Sequence, residues 1–365
     1  MLLHSRRLLL AAALLVPVHA AAQEHDHDSV VPEGIGPRLN LRGFADVDFV
    51  GPWGAPPPGE AENRSAFALG QFDLYMVSKL TDSISFLGET VFELDENQET
   101  GVDVERLQIN YHWSDAFRIA AGRGHTALGY WNESFHHGVL LQPTVARPEA
   151  LKFEDDGGIL PVHFVGLEAS GRTGHGAWDL GYVGYVANGR GIRPDVVQGA
   201  FDANQGKAVG GKLSLSREGR QGFRFGVAAY HDVIPPDPAI VGRESPLGEW
   251  VLGAHFVYQS EHARLYSEYF HLRHDDQTTG AGYTHEAAYA IGVVQSGRFS
   301  PYGGVDWMRI DSADPYFAGY RSLTRVLVGL RFDLVSFNAL KLEYQHDNRP
   351  GGVSQAVVLQ SAFTF

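Results

Sequence analysis

The chain has 365 residues, of which 43 are acidic and 29 are Lys or Arg, so its formal net charge is −14. This acidic balance argues against a nucleic-acid partner, because phosphate backbones are bound by clusters of Lys and Arg. Cysteine is absent, which excludes disulfides, and 43 glycines against 3 methionines are typical of strands and tight turns rather than helices.

Residues 1–22 predict a cleaved secretory signal peptide. Arg6 and Arg7 precede an apolar run that ends at Val18, and Ala20 to Ala22 offer an A-x-A cleavage site. That run is too short to cross a bilayer, and no run of about 18 apolar residues follows it. A membrane protein without such a run has to be a closed β-barrel, because only that form pairs every backbone group in lipid.

Residues 23–37 predict a short periplasmic leader rich in His and Asp. His25 and His27 alternate with acidic residues. If cleavage follows Ala22, a histidine in third place behind a free amine could bind copper or nickel, and alternating His and acid also suits zinc. The other interpretation is a solvated polar leader that binds no metal.

Residues 38–365 predict an all-β fold, a transmembrane antiparallel β-barrel of about 16 strands. In the first segment Leu39, Leu41 and Val47 share one face, while Arg42 and Asp46 share the other. An outer-membrane barrel turns such an apolar face to lipid and the charged face to its water-filled lumen. The expected strands are near 38–50, 66–80, 83–94, 102–113, 116–123, 161–170, 176–187, 207–217, 222–231, 249–259, 262–273, 283–295, 298–310, 321–334, 337–346 and 353–365.

The links between these segments alternate between long and short. Barrels of this class place short turns on the periplasmic side and long loops outside. Short links such as Ser114-Asp115 and Gly171–Gly174 are therefore expected to be periplasmic. The third long link, Gly124–Leu160, is the longest, and we expect it to fold inward and narrow the pore.

This third loop supplies most of the candidate constriction residues. Two interpretations stay open: charged side chains across the narrow point set a field that selects ions, or they pair and hold the loop to the wall. The adjacent histidines in the loop would point apart on a strand, so a hydrated loop is the favoured interpretation for them. The candidates are His125, Glu133, His136, His137, Arg147, Glu154, Asp155 and Asp156 from the loop, and Arg42, Arg106 and Arg118 from the wall. Further arginines on predicted lumenal faces are Arg224, Arg264, Arg325 and Arg331.

The last segment ends on Phe365, with Val357, Leu359 and Phe363 on the same face. A final strand that closes a barrel in lipid needs such an apolar face. A C-terminal strand ending in Phe resembles the signature that outer-membrane proteins present to the barrel assembly machinery. We therefore expect that machinery and outer-membrane lipid to be partners.

Several short motifs resemble those of phosphate-selective porin O/P-type and related porins. Gly122-Arg123-Gly124, Leu128-Gly129 and Trp131-Asn132 are similar to the "GR…TPFG.WN" stretch of that family, and Asn188-Gly189 begins a match to its "NG…D.N..K". His125-Thr126-Ala127 stands where the family has its Phe and Pro. The resemblance implies a 16-stranded, often trimeric, general or substrate-selective porin.

The expected function is therefore an outer-membrane porin that lets small hydrophilic solutes or ions diffuse passively. The alternatives are a substrate-specific channel for a metal or an organic anion, or a non-conducting barrel that serves as adhesin, scaffold or outer-membrane enzyme. No G-x-S-x-G or H-E-x-x-H motif occurs, so neither catalysis nor a cofactor is expected. The net charge favours cations, although arginines on the lumenal wall could reverse that preference.

Overall fold

A computed structural model describes residues 38–55, 64–94, 100–136, 138–196, 202–217 and 221–365. The predicted signal peptide and leader, with His25 and His27, lie outside these residues, and so does His137. No helix in the described ranges is long and apolar enough to cross a membrane.

The described part of the chain forms sixteen antiparallel strands that close into a barrel. Each strand pairs with its neighbours in sequence, and the last strand pairs with the first, so no edge strand is left unpaired. The predicted barrel is thus confirmed. The strands are β1 (Arg38–Ala55), β2 (Ala66–Lys79), β3 (Ile84–Leu94), β4 (Thr100–Ser114), β5 (Phe117–His125), β6 (His163–His175), β7 (Trp178–Ala187), β8 (Ala208–Arg217), β9 (Gln221–Ile234), β10 (Leu247–Ser260), β11 (Ala263–Asp276), β12 (Gly282–Val294), β13 (Phe299–Arg309), β14 (Leu323–Val335), β15 (Asn338–Arg349) and β16 (Gly352–Thr364).

One predicted link is wrong. β6 continues through Gly171–Gly174 to His175, and the turn to β7 lies at Gly176, whose φ is +64°. A Cβ on Gly171 would lie 2.1 Å from the carbonyl oxygen of Ala116. The glycine therefore permits a close approach between neighbouring backbones rather than a turn.

The side chains alternate as a barrel in lipid requires. On β11, Tyr266, Glu268 and Phe270 are buried inside, whereas Leu265 and Tyr269 are exposed on the outer surface. Outward apolar side chains contact lipid, and inward side chains face the lumen or the chain segments packed inside it.

A β-bulge in β4 interrupts this alternation. Glu89 pairs with Arg106 and Thr90 pairs with Val104, which leaves Glu105 as the extra residue. The bulge turns the carboxyl of Glu105 toward the loop that joins β5 to β6, where period-two counting does not place it.

The link between β5 and β6, residues 126–162, is called the crossing loop below. It contains a single helical turn, α1 (Trp131–Ser134), and a 3-10 turn at Glu149–Leu151. Leu128, Trp131 and Leu151 of this loop are fully buried in one hydrophobic cluster with inward side chains of the wall, such as Tyr289 and Leu327. Part of the lumen is therefore a dry core formed between loop and wall.

Candidate pore constriction

Glu268 on β11 holds the first part of the crossing loop. The backbone N–H groups of Tyr130 and Trp131 donate to its two carboxylate oxygens over 2.6 Å and 2.7 Å, and the Tyr289 hydroxyl donates to it over 2.5 Å. All four residues are buried. A carboxylate that accepts three hydrogen bonds satisfies loop N–H groups that have no sheet partner.

Two further wall carboxylates hold the middle of the loop. Glu343 on β15 accepts from the N–H groups of Val145 and Ala146 over 2.8 Å and 2.9 Å. Asp306 on β13 accepts from the N–H of Glu149 over 2.7 Å. Because β13 stands directly opposite β5 in a ring of sixteen strands, the loop spans the lumen.

Cationic wall residues bind the loop carbonyls. Lys341 donates to the carbonyls of Val139 and Thr144 over 2.6 Å and 3.1 Å. Arg331 donates over 2.6 Å to the carbonyl of Leu140. Positively and negatively charged side chains of the wall thus form the hydrogen bonds to the loop backbone that a neighbouring strand would otherwise form.

Glu149 ties the loop to wall arginines. Its carboxylate lies 3.4 Å from Arg325 and also contacts Arg349 and Lys152. Burial raises the pKa of Glu149, but the cations of Lys152, Arg325 and Arg349 outweigh it and lower the pKa to about 2. For this group the charges hold the loop to the wall, as the second interpretation expects.

The remaining loop candidates make separate contacts. Glu133 forms an ion pair with Lys212 on β8. Asp155 and Asp156 are exposed and line a cavity of about 540 Å³ at the end of the barrel that carries the long links. Arg147 donates over 2.8 Å to the carbonyl of His136 and stacks on the ring of Phe153.

The lumenal arginines divide into two groups. Arg106 pairs with Glu89, Arg325 with Asp347 and Arg331 with Asp333. The other four are exposed and form no salt bridge with a described carboxylate: Arg42, Arg118, Arg224 and Arg264.

These four arginines all lie within a few residues of the short-link end of the barrel. Arg224 stands over the ring of Tyr130 at 5.4 Å and lines a cavity of about 310 Å³ beneath the crossing loop. Arg264 lines a second cavity, of about 250 Å³, against Leu140 and Pro143 of the loop. Arg331 and its partner Asp333 also line the second cavity, so the cations on this side of the loop outnumber the carboxylate there.

Two candidate histidines meet at the base of the crossing loop. His125 and His136 stack with ring centroids 3.5 Å apart, beside Glu105 and His163. The expectation of a hydrated loop is wrong for His136, whose side chain is only 2% exposed. Glu105 and His163 were not predicted. His163 could have been found from pairing alone, because it stands opposite His125 across the longest link.

A second histidine cluster was also missed. His274 on β11 and His285 on β12 both contact Asp314, at 2.6 Å and 2.7 Å, and His274 also contacts Glu249 at 3.1 Å. Glu249 in turn pairs with Arg190 at 2.8 Å. This network fixes the link between β13 and β14 to the inner wall.

No protein-family profile and no curated protein matches this sequence. Solved structures do match. Salmonella typhi OmpF, in complex with daunomycin, superposes with a TM-score of 0.59 at 12% identity, over 91% of this chain and 98% of that one. The outer membrane channel DcaP of Acinetobacter baumannii gives 0.58 at 11% identity, over 91% and 98%. OmpT of Vibrio cholerae, an outer membrane protein in trimer form, gives 0.58 at 9% identity, over 90% and 100%. In its fold, this chain resembles the bacterial outer-membrane porins.

Proposed function

We propose that the protein is a porin-like channel of the bacterial outer membrane, through which small hydrophilic solutes or ions diffuse passively. The main support is the crossing loop, which is tethered across the lumen by Glu268, Asp306 and Glu343. A fixed loop at this height sets the width and the charge of the passage. The proposal includes removal of residues 1–22 as a signal peptide, a leader over residues 23–37, and assembly as a homotrimer.

Planar-bilayer recording tests conduction. The refolded protein is expected to give stepwise current increases, because each inserted barrel adds one water-filled path. The same detergent solution without protein serves as control. If the protein inserts yet gives no steps, the apolar core between loop and wall closes the lumen, and the barrel is a non-conducting one.

We further expect the channel to prefer anions. The exposed guanidinium groups of Arg224 and Arg264 border the space beneath the loop, whereas Asp73 and Glu89 on the wall are almost fully buried. The charges that line the passage affect ion selectivity more than the net charge of the chain does, because the field of each charge is screened within about 8 Å at physiological salt. The acidic composition is therefore a poor guide to selectivity.

The reversal potential in a salt gradient measures this preference. The double variant Arg224→Gln/Arg264→Gln is expected to lower the anion-to-cation permeability ratio. Arg298→Gln removes one positive charge from an exposed turn at the same end, outside the space beneath the loop, and should leave the ratio unchanged. A cation-selective wild type, or equal ratios in both variants, would contradict the assignment.

A further inference from the structure

Four side chains converge at the base of the crossing loop, and they are called the loop-base cluster below. Glu105 comes from the bulge in β4, His125 from the end of β5, His163 from the start of β6 and His136 from the loop. One ligand atom from each lies within 4.8 Å of all the others. Nε2 of His163 is 2.8 Å from Nε2 of His136 and 2.5 Å from Oε2 of Glu105.

The tautomer of His136 follows from its neighbour Asn132. The amide nitrogen of Asn132 donates to the carbonyls of Thr126 and Val162 over 3.0 Å and 2.9 Å, which fixes its oxygen toward His136. That oxygen is 2.7 Å from Nδ1 of His136, so Nδ1 donates. Arg147 lies 3.4 Å from the same nitrogen, but the 2.7 Å contact to an oxygen that can only accept decides the tautomer. In the neutral ring, Nε2 therefore carries the lone pair.

His163 has a carboxylate on its outer side but no hydrogen bond to it. Its Nδ1 faces Oε2 of Glu154 at 3.5 Å, while Oε1 of Glu154 accepts from the N–H of Val162 over 3.0 Å. A histidine whose outer nitrogen is held by a carboxylate or an amide oxygen is the usual arrangement around a bound metal, since it points the other lone pair inward. The lone pair of His136, a carboxylate oxygen of Glu105 and Nε2 of His163 thus meet at one point.

Two acceptors this close to Nε2 of His163 are bridged either by a proton on that nitrogen or by a metal ion. We propose that the loop-base cluster binds one Zn²⁺ ion through Nε2 of His136, Nε2 of His163 and a carboxylate oxygen of Glu105, with His125 as the fourth ligand. Zn–N bonds of about 2.0–2.1 Å place tetrahedral ligands roughly 3.3 Å apart. The separations of 2.5, 2.8 and 3.7 Å among the first three atoms lie around that value.

The ion would join β4, β5, β6 and the loop at the point where the loop leaves the wall. It would also be a structural site, because the cluster is almost wholly buried: Glu105, His136 and His163 are 6%, 2% and 1% exposed. The competing occupant is a proton shared between His163 and Glu105.

The cluster around Asp314 is a matched comparison within the same chain. The N–H of Asp311 donates to Nδ1 of His285 over 3.2 Å, so Nε2 of that ring donates to Asp314. His274 donates to the same carboxylate from Nδ1 and faces Glu249 with Nε2. With a proton on each nitrogen of His274, every contact in this network joins a donor to an acceptor, so it needs no metal.

The test is Zn²⁺ binding to the metal-stripped, refolded protein, measured by isothermal titration calorimetry and by metal analysis after dialysis. The full chain carries His25→Ala and His27→Ala, which removes the leader as a competing site. We expect about one Zn²⁺ per chain, lost in His136→Gln and retained in His274→Gln. Glu154→Gln keeps every ligand and should weaken binding by about 10–100-fold.

Co²⁺ gives a readout that needs no variant. Bound in place of Zn²⁺, it should show the intense visible absorption of a tetrahedral N/O site. Absence of Zn²⁺ uptake, as expected for a shared proton, overturns the proposal. Equal uptake by His136→Gln and His274→Gln, with circular dichroism showing both folded, overturns it as well.

Discussion

Replacing Glu268 with alanine is expected to free the first part of the crossing loop and to raise the single-channel conductance. The substitution leaves the buried N–H groups of Tyr130 and Trp131 without their acceptor, and each such loss costs about 1–3 kcal/mol. A docked loop destabilised by the lower bound for both groups, roughly 2 kcal/mol, loses a factor of about 30 in its docking equilibrium. The open-channel current should become larger and noisier.

Glu286→Ala is the matched control for this variant. Glu286 lies on β12 with its carboxylate bonded to Arg309 and Tyr269, away from the crossing loop. Its loss removes the same charge and leaves the loop tethers in place. Identical conductance and noise in the two variants would show that the loop does not limit the current.

The second large effect is expected where β16 pairs with β1 and closes the barrel. Gly43 on β1 exchanges two backbone hydrogen bonds with Phe365, of 2.9 Å and 3.0 Å, and the Phe365 ring covers it. A Cβ at Gly43 would lie 2.1 Å from that ring, which also stacks on Phe72. Gly43→Val must therefore displace the Phe365 ring and with it the stack on Phe72, a ring pair that contributes about 0.5–1.5 kcal/mol.

The folded fraction after refolding into detergent, measured by heat-modifiable migration on gels, is expected to fall in Gly43→Val. Gly292→Val is the control, because Gly292 also faces outward from a strand and a Cβ there meets nothing within 4 Å. This pair tests closure by packing and leaves Phe365 itself intact, so recognition by the assembly machinery is not altered. Equal folded fractions would contradict a closing role for the ring.

The strands could be predicted because a lipid-crossing strand must present one apolar face along its whole length. This constraint gives the sequence a hydrophobic period of two residues. The period predicted even the glycine-rich β8, where Tyr185 packs directly on Gly210. Nearest-neighbour pairing then gave the topology without further information. The same counting failed at Glu105, because one extra residue in β4 shifts every later side chain by one face.

The contacts of the crossing loop could not be predicted in this way. Tyr130 binds Glu268, and Val145 binds Glu343, more than a hundred residues further along the chain. No periodicity relates a loop N–H to a carboxylate on a distant strand, and many acidic residues compete for the same role. Only part of the loop-base cluster could be predicted from the sequence. Its two strand histidines are register partners, whereas His136 reaches them through the fold of the loop.

The contacts that hold the crossing loop also determine the order in which the parts of the barrel assemble. The loop precedes all three of its carboxylate anchors in the chain, and the last of them, Glu343, lies on the penultimate strand. The loop therefore cannot dock fully until β15 is in place, and until then the N–H groups of Val145 and Ala146 must stay in water. Closure of the wall and seating of the loop are thus successive events, and a half-built barrel still has an unobstructed interior.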